Sequence, residues 1–84
     1  MYFVYILQSL KDKSYYVGHT ENLKVRFKRH NSSQVRSTKS RLPWQIVYQE
    51  QYQTKQEAYR RELQIKSYKG GEAFKKLLNK KDKR

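Results

Sequence analysis

Phe3-Val4-Tyr5 opens the chain, and Tyr16-Val17-Gly18 follows eleven residues later. Arg26 lies ten residues beyond Tyr16, His30 one helical turn further, and Glu62 much later. These are side chains suited to phosphate. An arginine grips two phosphate oxygens at once and offsets charge developing on phosphorus. A histidine donates to the same oxygens or shuttles a proton. A carboxylate holds a hard divalent cation. A tyrosine, with a reference pKa near ~10, works as a base only beside a cation or an activated water.

The same residues have plainer readings. Arg26 could lay its stem on apolar neighbours and keep its head in water. Tyr5 and Tyr16 could be aromatic core. Gly18 could relieve crowding, or let a phosphate approach the backbone closely. Glu62 could sit in a structural salt bridge with Arg61, Lys66 or an arginine elsewhere. The pattern of the helices sharpens these choices. At about 100° per residue, Arg26 and His30 fall about 60° and 20° from Leu23, on the shoulder of a buried face. Glu62 falls about 40° from Ala58, inside the stripe marked by Ala58 and Ile65. A carboxylate at such a position needs a partner, because unpaired burial is costly.

These residues must be carried on few elements, since 84 residues make one small domain. Residues 2–8 are almost continuously apolar and read as a central strand covered on both faces. Residues 9–13 are turn material and 14–19 a second strand, giving a hairpin. Thr20 caps a helix over 21–31, with Glu21 in its first turn and Leu23 and Phe27 buried. Residues 32–43 show no periodicity and read as a loop that orders on a partner. Residues 44–52 alternate as a third strand, with Trp44, Ile46, Tyr48, Glu50 and Tyr52 on one face and Val47 on the other. Thr54 to Glu57 is a capping box that starts a helix ending near Tyr68. Gly70-Gly71 stops it, and a short helix over 72–79 follows. The order β-β-α-β-α-α predicts an α+β domain over 1–79, a three-stranded antiparallel sheet flanked by helices. Residues 80–84 read as a frayed basic tail.

Charge selects the partner. Lys and Arg number 20 against 7 Asp and Glu, a formal net charge of +13. Such an excess repels itself and suits a polyanion, nucleic acid before an anionic membrane. The candidate backbone contacts are Gly18, His19, Arg36, Lys39, Arg41 and Lys66. There is no cysteine, which excludes disulfides and thiolate zinc sites. Two histidines are too few for a histidine cage, so any metal would be a hard cation on oxygen. No signal peptide or membrane span is expected, and the expected setting is cytoplasmic.

The series of motifs resembles the GIY-YIG nuclease family. Phe3-Val4-Tyr5 stands at its first motif and Tyr16-Val17-Gly18 at its second. NLKVRF, from Asn22 to Phe27, is similar to the stretch bearing the family arginine, so Arg26 matches it. His30 matches a histidine one turn later, and REL-IK around Glu62 resembles the helix supplying the metal-binding glutamate. The resemblance covers roughly residues 2–70 and is closest to the small stand-alone branch. Phe3 replaces the first glycine of the family name, and His19 stands where some branches carry lysine.

The resemblance implies a DNA endonuclease, in repair or recombination, using one Mg²⁺ or Mn²⁺ on Glu62. It implies Arg26 as the clamp on phosphorus, assisted by His30, with Tyr5 preferred over Tyr16 as base or base-orienter. The expected state is a monomer, whose specificity comes from its loop, its basic surface or a protein partner. The alternative class is a nucleic-acid-binding module that does not cleave.

Overall fold

A computed structural model describes residues 1–82 apart from 33 and 37. The elements are β1 (Tyr2–Ser9), β2 (Tyr15–Thr20), α1 (Leu23–Asn31), a single 3₁₀ turn (Lys39–Arg41), β3 (Trp44–Tyr52), α2 (Lys55–Ser67) and α3 (Glu72–Asp82). The sheet has strand order β2-β1-β3, with both pairings antiparallel. The expected α+β order therefore holds.

The apolar run of β1 is central, as its composition demands. Val4, Tyr5, Ile6 and Leu7 are all buried, because helices cover both faces of the sheet. Val4 and Ile6 join Val17, Ala58, Ile65, Phe74 and Leu77 in the core under α2 and α3. Tyr5 and Leu7 join Trp44 in a second core, which Leu23 and Phe27 of α1 pack against. The alternation of one strand thus divides the molecule into two half-cores.

Three boundaries differ from expectation. Asn22, not Thr20, caps α1: its Oδ1 accepts from the Val25 N–H at 3.1 Å. Thr20 Oγ1 instead accepts from the Asn22 N–H at 3.2 Å, leaving Glu21 outside the helix. Asparagine is the stronger N-cap, and Thr20 already ends β2. The second difference is in β3. Ile6 pairs with Tyr48 but Leu7 pairs with Ile46, so an irregularity at Val47 adds a residue to β3. Its two halves therefore face opposite ways. Ile46 packs on the α1 side with Trp44, while Val47, Tyr48 and Tyr52 pack on the α2 side. The third is α3, which runs to Asp82, so the expected tail is helical over 80–82 and otherwise lies at 83 and 84, outside the described residues.

The capping box of α2 is present in full: Thr54 accepts from the Glu57 N–H, and the Glu57 carboxylate accepts from the Thr54 N–H. The same helix is fastened to β3 by a polar cluster. Arg61 makes two bonds to Glu50, 2.9 Å from Nε and 3.0 Å from Nη2, while the Tyr48 and Tyr52 hydroxyls donate to the same carboxylate. No helix among the described residues is long and apolar enough to cross a membrane.

Candidate active site

The site is built where β2, the edge strand, meets α1 and α2. Tyr5 lies directly across from Gly18 in the β1–β2 pairing. The phenol ring passes over that glycine: a Cβ there would stand 2.6 Å from Tyr5 Oη and 3.1 Å from the Tyr16 ring. Gly18 is therefore small to admit Tyr5. This is the crowding role, rather than a path for phosphate to the backbone on that face.

Tyr5 is 1% exposed and His30, behind it, is 0% exposed. Tyr5 Oη and His30 Nε2 are 3.0 Å apart, and His30 Nδ1 is 2.9 Å from Thr38 Oγ1. The Arg26 guanidinium is close enough to the Tyr5 and Tyr16 hydroxyls for its charge to act on both. Burial pushes the Tyr5 hydroxyl up to about 12, against the opposing bond from Arg26. Burial, aided by the Arg26 charge, pushes His30 down to about 4, so it is neutral at physiological pH.

One expectation changes. His30 cannot donate to a phosphate, because it is sealed under Tyr5 and its nitrogens are committed. The two tyrosines differ in setting: Tyr5 is buried and bonded to His30, whereas Tyr16 is only partly buried and packs on His30 and Trp44 at ring-centroid distances of 4.9 and 6.4 Å. The hydroxyl nearer solvent beside Arg26 is that of Tyr16.

Glu62 is 7% exposed and has the partner its position requires. One carboxylate oxygen accepts from His19 Nδ1, and the other meets Lys66 Nζ at 2.6 Å. Arg61, one residue away, goes to Glu50 instead. Lys66 is thus placed on the carboxylate, half-exposed, rather than on a separate phosphate surface.

A groove of about 400 Å³ connects the two groups of residues. It is lined by His19, Thr20, Glu21, Asn22, Val25, Arg26 and Arg29. Its wall on the β2 side is the histidine that holds Glu62, and on the α1 side it is Arg26. The Nε of Arg26 is buried with no hydrogen-bond partner among the described residues, so part of this fork is unsatisfied. Arg29, exposed on the same helix, and Tyr59, 50% exposed with its ring edge-on to His19 at 5.7 Å, border the same region. Sequence reasoning passes over both, although each is three positions from a residue it singles out, Arg26 and Glu62.

The loop candidates separate. Arg36 and Lys39 are exposed. Arg41 is built into the fold: its Nη1 donates to Ser14 Oγ at 3.1 Å, its guanidinium lies 5.2 Å from the Trp44 ring centre, and its carbonyl accepts from Ser9 Oγ. The loop is anchored in its second half, since Thr38 is fully buried and its carbonyl accepts from the Trp44 indole N–H at 2.9 Å. It does not wait wholly on a partner for order.

Both Glu62 oxygens are engaged, by His19 and by Lys66, so a hard divalent cation there would take the place of the Lys66 ammonium on Oε2. Such ions take one or two carboxylates and complete their shell with water and substrate phosphate. Among the described residues no group of three His, Cys, Asp or Glu forms a cage, so the phosphate and water would supply the remaining ligands.

Comparison with known proteins identifies the family and the fold. The GIY-YIG catalytic domain model matches residues 1–77. UPF0213 proteins of Staphylococcus aureus, from strains Mu50 and N315 among others, are 44% identical over 68 residues, covering 80% of this chain and 82% of theirs. The solution NMR structure of the UPF0213 protein BH0048 from Bacillus halodurans superposes with a TM-score of 0.53 at 33% identity, covering 95% of this chain and 84% of that one. With Arg26 and the Glu62-bonded His19 lining one groove, and Tyr5 packed over Gly18 beside it, the chain belongs to the GIY-YIG family, among its small single-domain UPF0213 members.

Proposed function

We propose that this protein is a divalent-metal-dependent endonuclease that hydrolyses DNA phosphodiester bonds, acting in repair or recombination. The observation that carries the reading is the groove itself. Arg26 faces it from α1, and His19, bonded to the buried Glu62, faces it from β2.

Each side chain has a task. Arg26 binds the non-bridging phosphate oxygens and offsets the charge that grows on them in the transition state. Its guanidinium is pre-aimed by Tyr5, so little reorganisation is needed when phosphate arrives. Tyr16, the less buried of the two tyrosines, orients the attacking water through its hydroxyl. Glu62 would hold Mg²⁺ or Mn²⁺, which when bound polarises the phosphoryl oxygen and acidifies water. His19 fixes the Glu62 carboxylate in place. Arg29, Arg36 and Lys39 add charge for the flanking backbone, without reading sequence.

The test is purified protein with plasmid, single-stranded, nicked and branched DNA, in Mg²⁺, Mn²⁺ or EDTA. Cleavage that needs metal is expected on at least one substrate. Binding without cleavage under every condition would favour a non-catalytic nucleic-acid-binding module.

A further inference from the structure

Thr38 lies in the loop between α1 and β3, and its hydroxyl is the far end of a chain of hydrogen bonds that runs through His30 to Tyr5, on which the Arg26 charge acts. We propose that Thr38 is a positioning residue: it fixes the tautomer of His30, and through it the direction in which the Tyr5 hydroxyl points, so that Tyr5 presents its oxygen to Arg26.

The direction of the chain follows from what each group can give. A guanidinium has only donors. Arg26, whose charge acts on Tyr5 Oη, can offer that oxygen only N–H groups, so the Tyr5 proton must go elsewhere. Its other neighbour is His30 Nε2, at 3.0 Å. That nitrogen must then be bare, which puts the imidazole proton on Nδ1. Nδ1 faces Thr38 Oγ1 at 2.9 Å, so the threonine oxygen accepts. Thr38 is left to donate, and its hydroxyl reaches the Val35 carbonyl at 3.3 Å.

Argued from the other end, the result is the same. Were His30 protonated on Nε2, Tyr5 Oη would face two donors, and its own proton would have no acceptor in a ring that is 1% exposed. Thr38 can accept from Nδ1 because its backbone holds it there. Its N–H donates to Val35 O at 3.1 Å and its carbonyl accepts the Trp44 indole. A loop residue thereby acts on the arginine without touching it.

The tautomer can be read on the whole chain by ¹⁵N-histidine NMR, whether or not the protein cleaves DNA. Wild type is expected to show a protonated Nδ1 and a bare, pyridine-type Nε2 at His30. Thr38→Val, which keeps shape and removes the acceptor, is expected to shift His30 toward the Nε2-protonated form. Thr38→Ser is expected to restore the wild-type spectrum. The catalytic consequence rests on the nuclease reading: Thr38→Val should lower kcat about tenfold at unchanged KM, with Thr38→Ser close to wild type. Nε2-protonated His30 in the wild type overturns the proposal, and that arm decides even if Thr38→Val fails to fold. A Thr38→Val protein with an unaltered His30 tautomer overturns it as well. Absence of cleavage by wild type with the expected tautomers would remove the nuclease reading and leave the tautomer assignment standing.

Discussion

At the scale of single residues, Tyr5 and Gly18 are one feature written in two strands. The phenol occupies the volume that any side chain at 18 would need, with Oη 2.6 Å and Cζ 2.8 Å from a Cβ placed there. Gly18→Ala must displace a ring that also aims Arg26. It should cost roughly 1–3 kcal/mol by overpacking, measurable as a lower denaturation midpoint, and should reduce cleavage beyond what that loss explains. The tyrosines should separate in kinetics. Tyr16→Phe removes the hydroxyl nearest solvent and is expected to lower kcat by 10²-fold or more, on the order of the usual contribution of a positioned acid–base group. Tyr5→Phe leaves the buried His30 Nε2 without its partner and removes the hydroxyl on which the Arg26 charge acts, and should lose stability as well as rate. Equal stability for the two variants in urea would contradict this division.

At the scale of elements, α2 matters because it carries Glu62, and its placement depends on the Arg61–Glu50 cluster. Burial alone would raise the Glu50 carboxyl, but the bonds from Arg61, Tyr48 and Tyr52 outweigh it and hold it below the ordinary carboxylate range. Its contribution is thus present above the unfolded pKa, about 4.3, and is lost as pH falls below that. Arg61→Met leaves Glu50 partly buried without its cation and should cost about 3 kcal/mol, read from urea unfolding at neutral pH. How far such elements could be read in advance varies for physical reasons. The buried run of β1, the Thr54 capping box and the inward Glu62 are local patterns, and a sequence displays them. The turn of β3 at Val47 is set by pairing with β1, and one inserted residue moves Tyr48 and Tyr52 to the opposite face. Pairing of Glu62 with His19, 43 residues away, and of His30 with Thr38 depends on tertiary placement. Thr38, one hydroxyl in a polar loop, has no pattern to mark it.

At the scale of the whole molecule, two global properties follow. The buried neutral His30 makes the fold sensitive to mild acid. Its folded pKa, about 4, lies below the ordinary 6.5. Between those values the unfolded chain takes a proton that the native state refuses, so stability is complete above about pH 6.5 and falls by on the order of 3 kcal/mol towards pH 4. Urea unfolding at pH 7 and pH 5 should differ, and His30→Gln should flatten that difference. The net charge of +13 sets the other property. DNA affinity should fall steeply with salt, with a log–log slope of several units, while a flat response would remove the polyanion argument. The central claim is that Arg26 and Glu62 act on one phosphate across one groove. Single-turnover cleavage of a labelled oligonucleotide, with binding measured alongside, tests it most directly. Arg26→Ala and Glu62→Gln should each lower the rate by about 10²- to 10³-fold, far more than they change affinity. Cleavage by Glu62→Gln at the wild-type rate would contradict it.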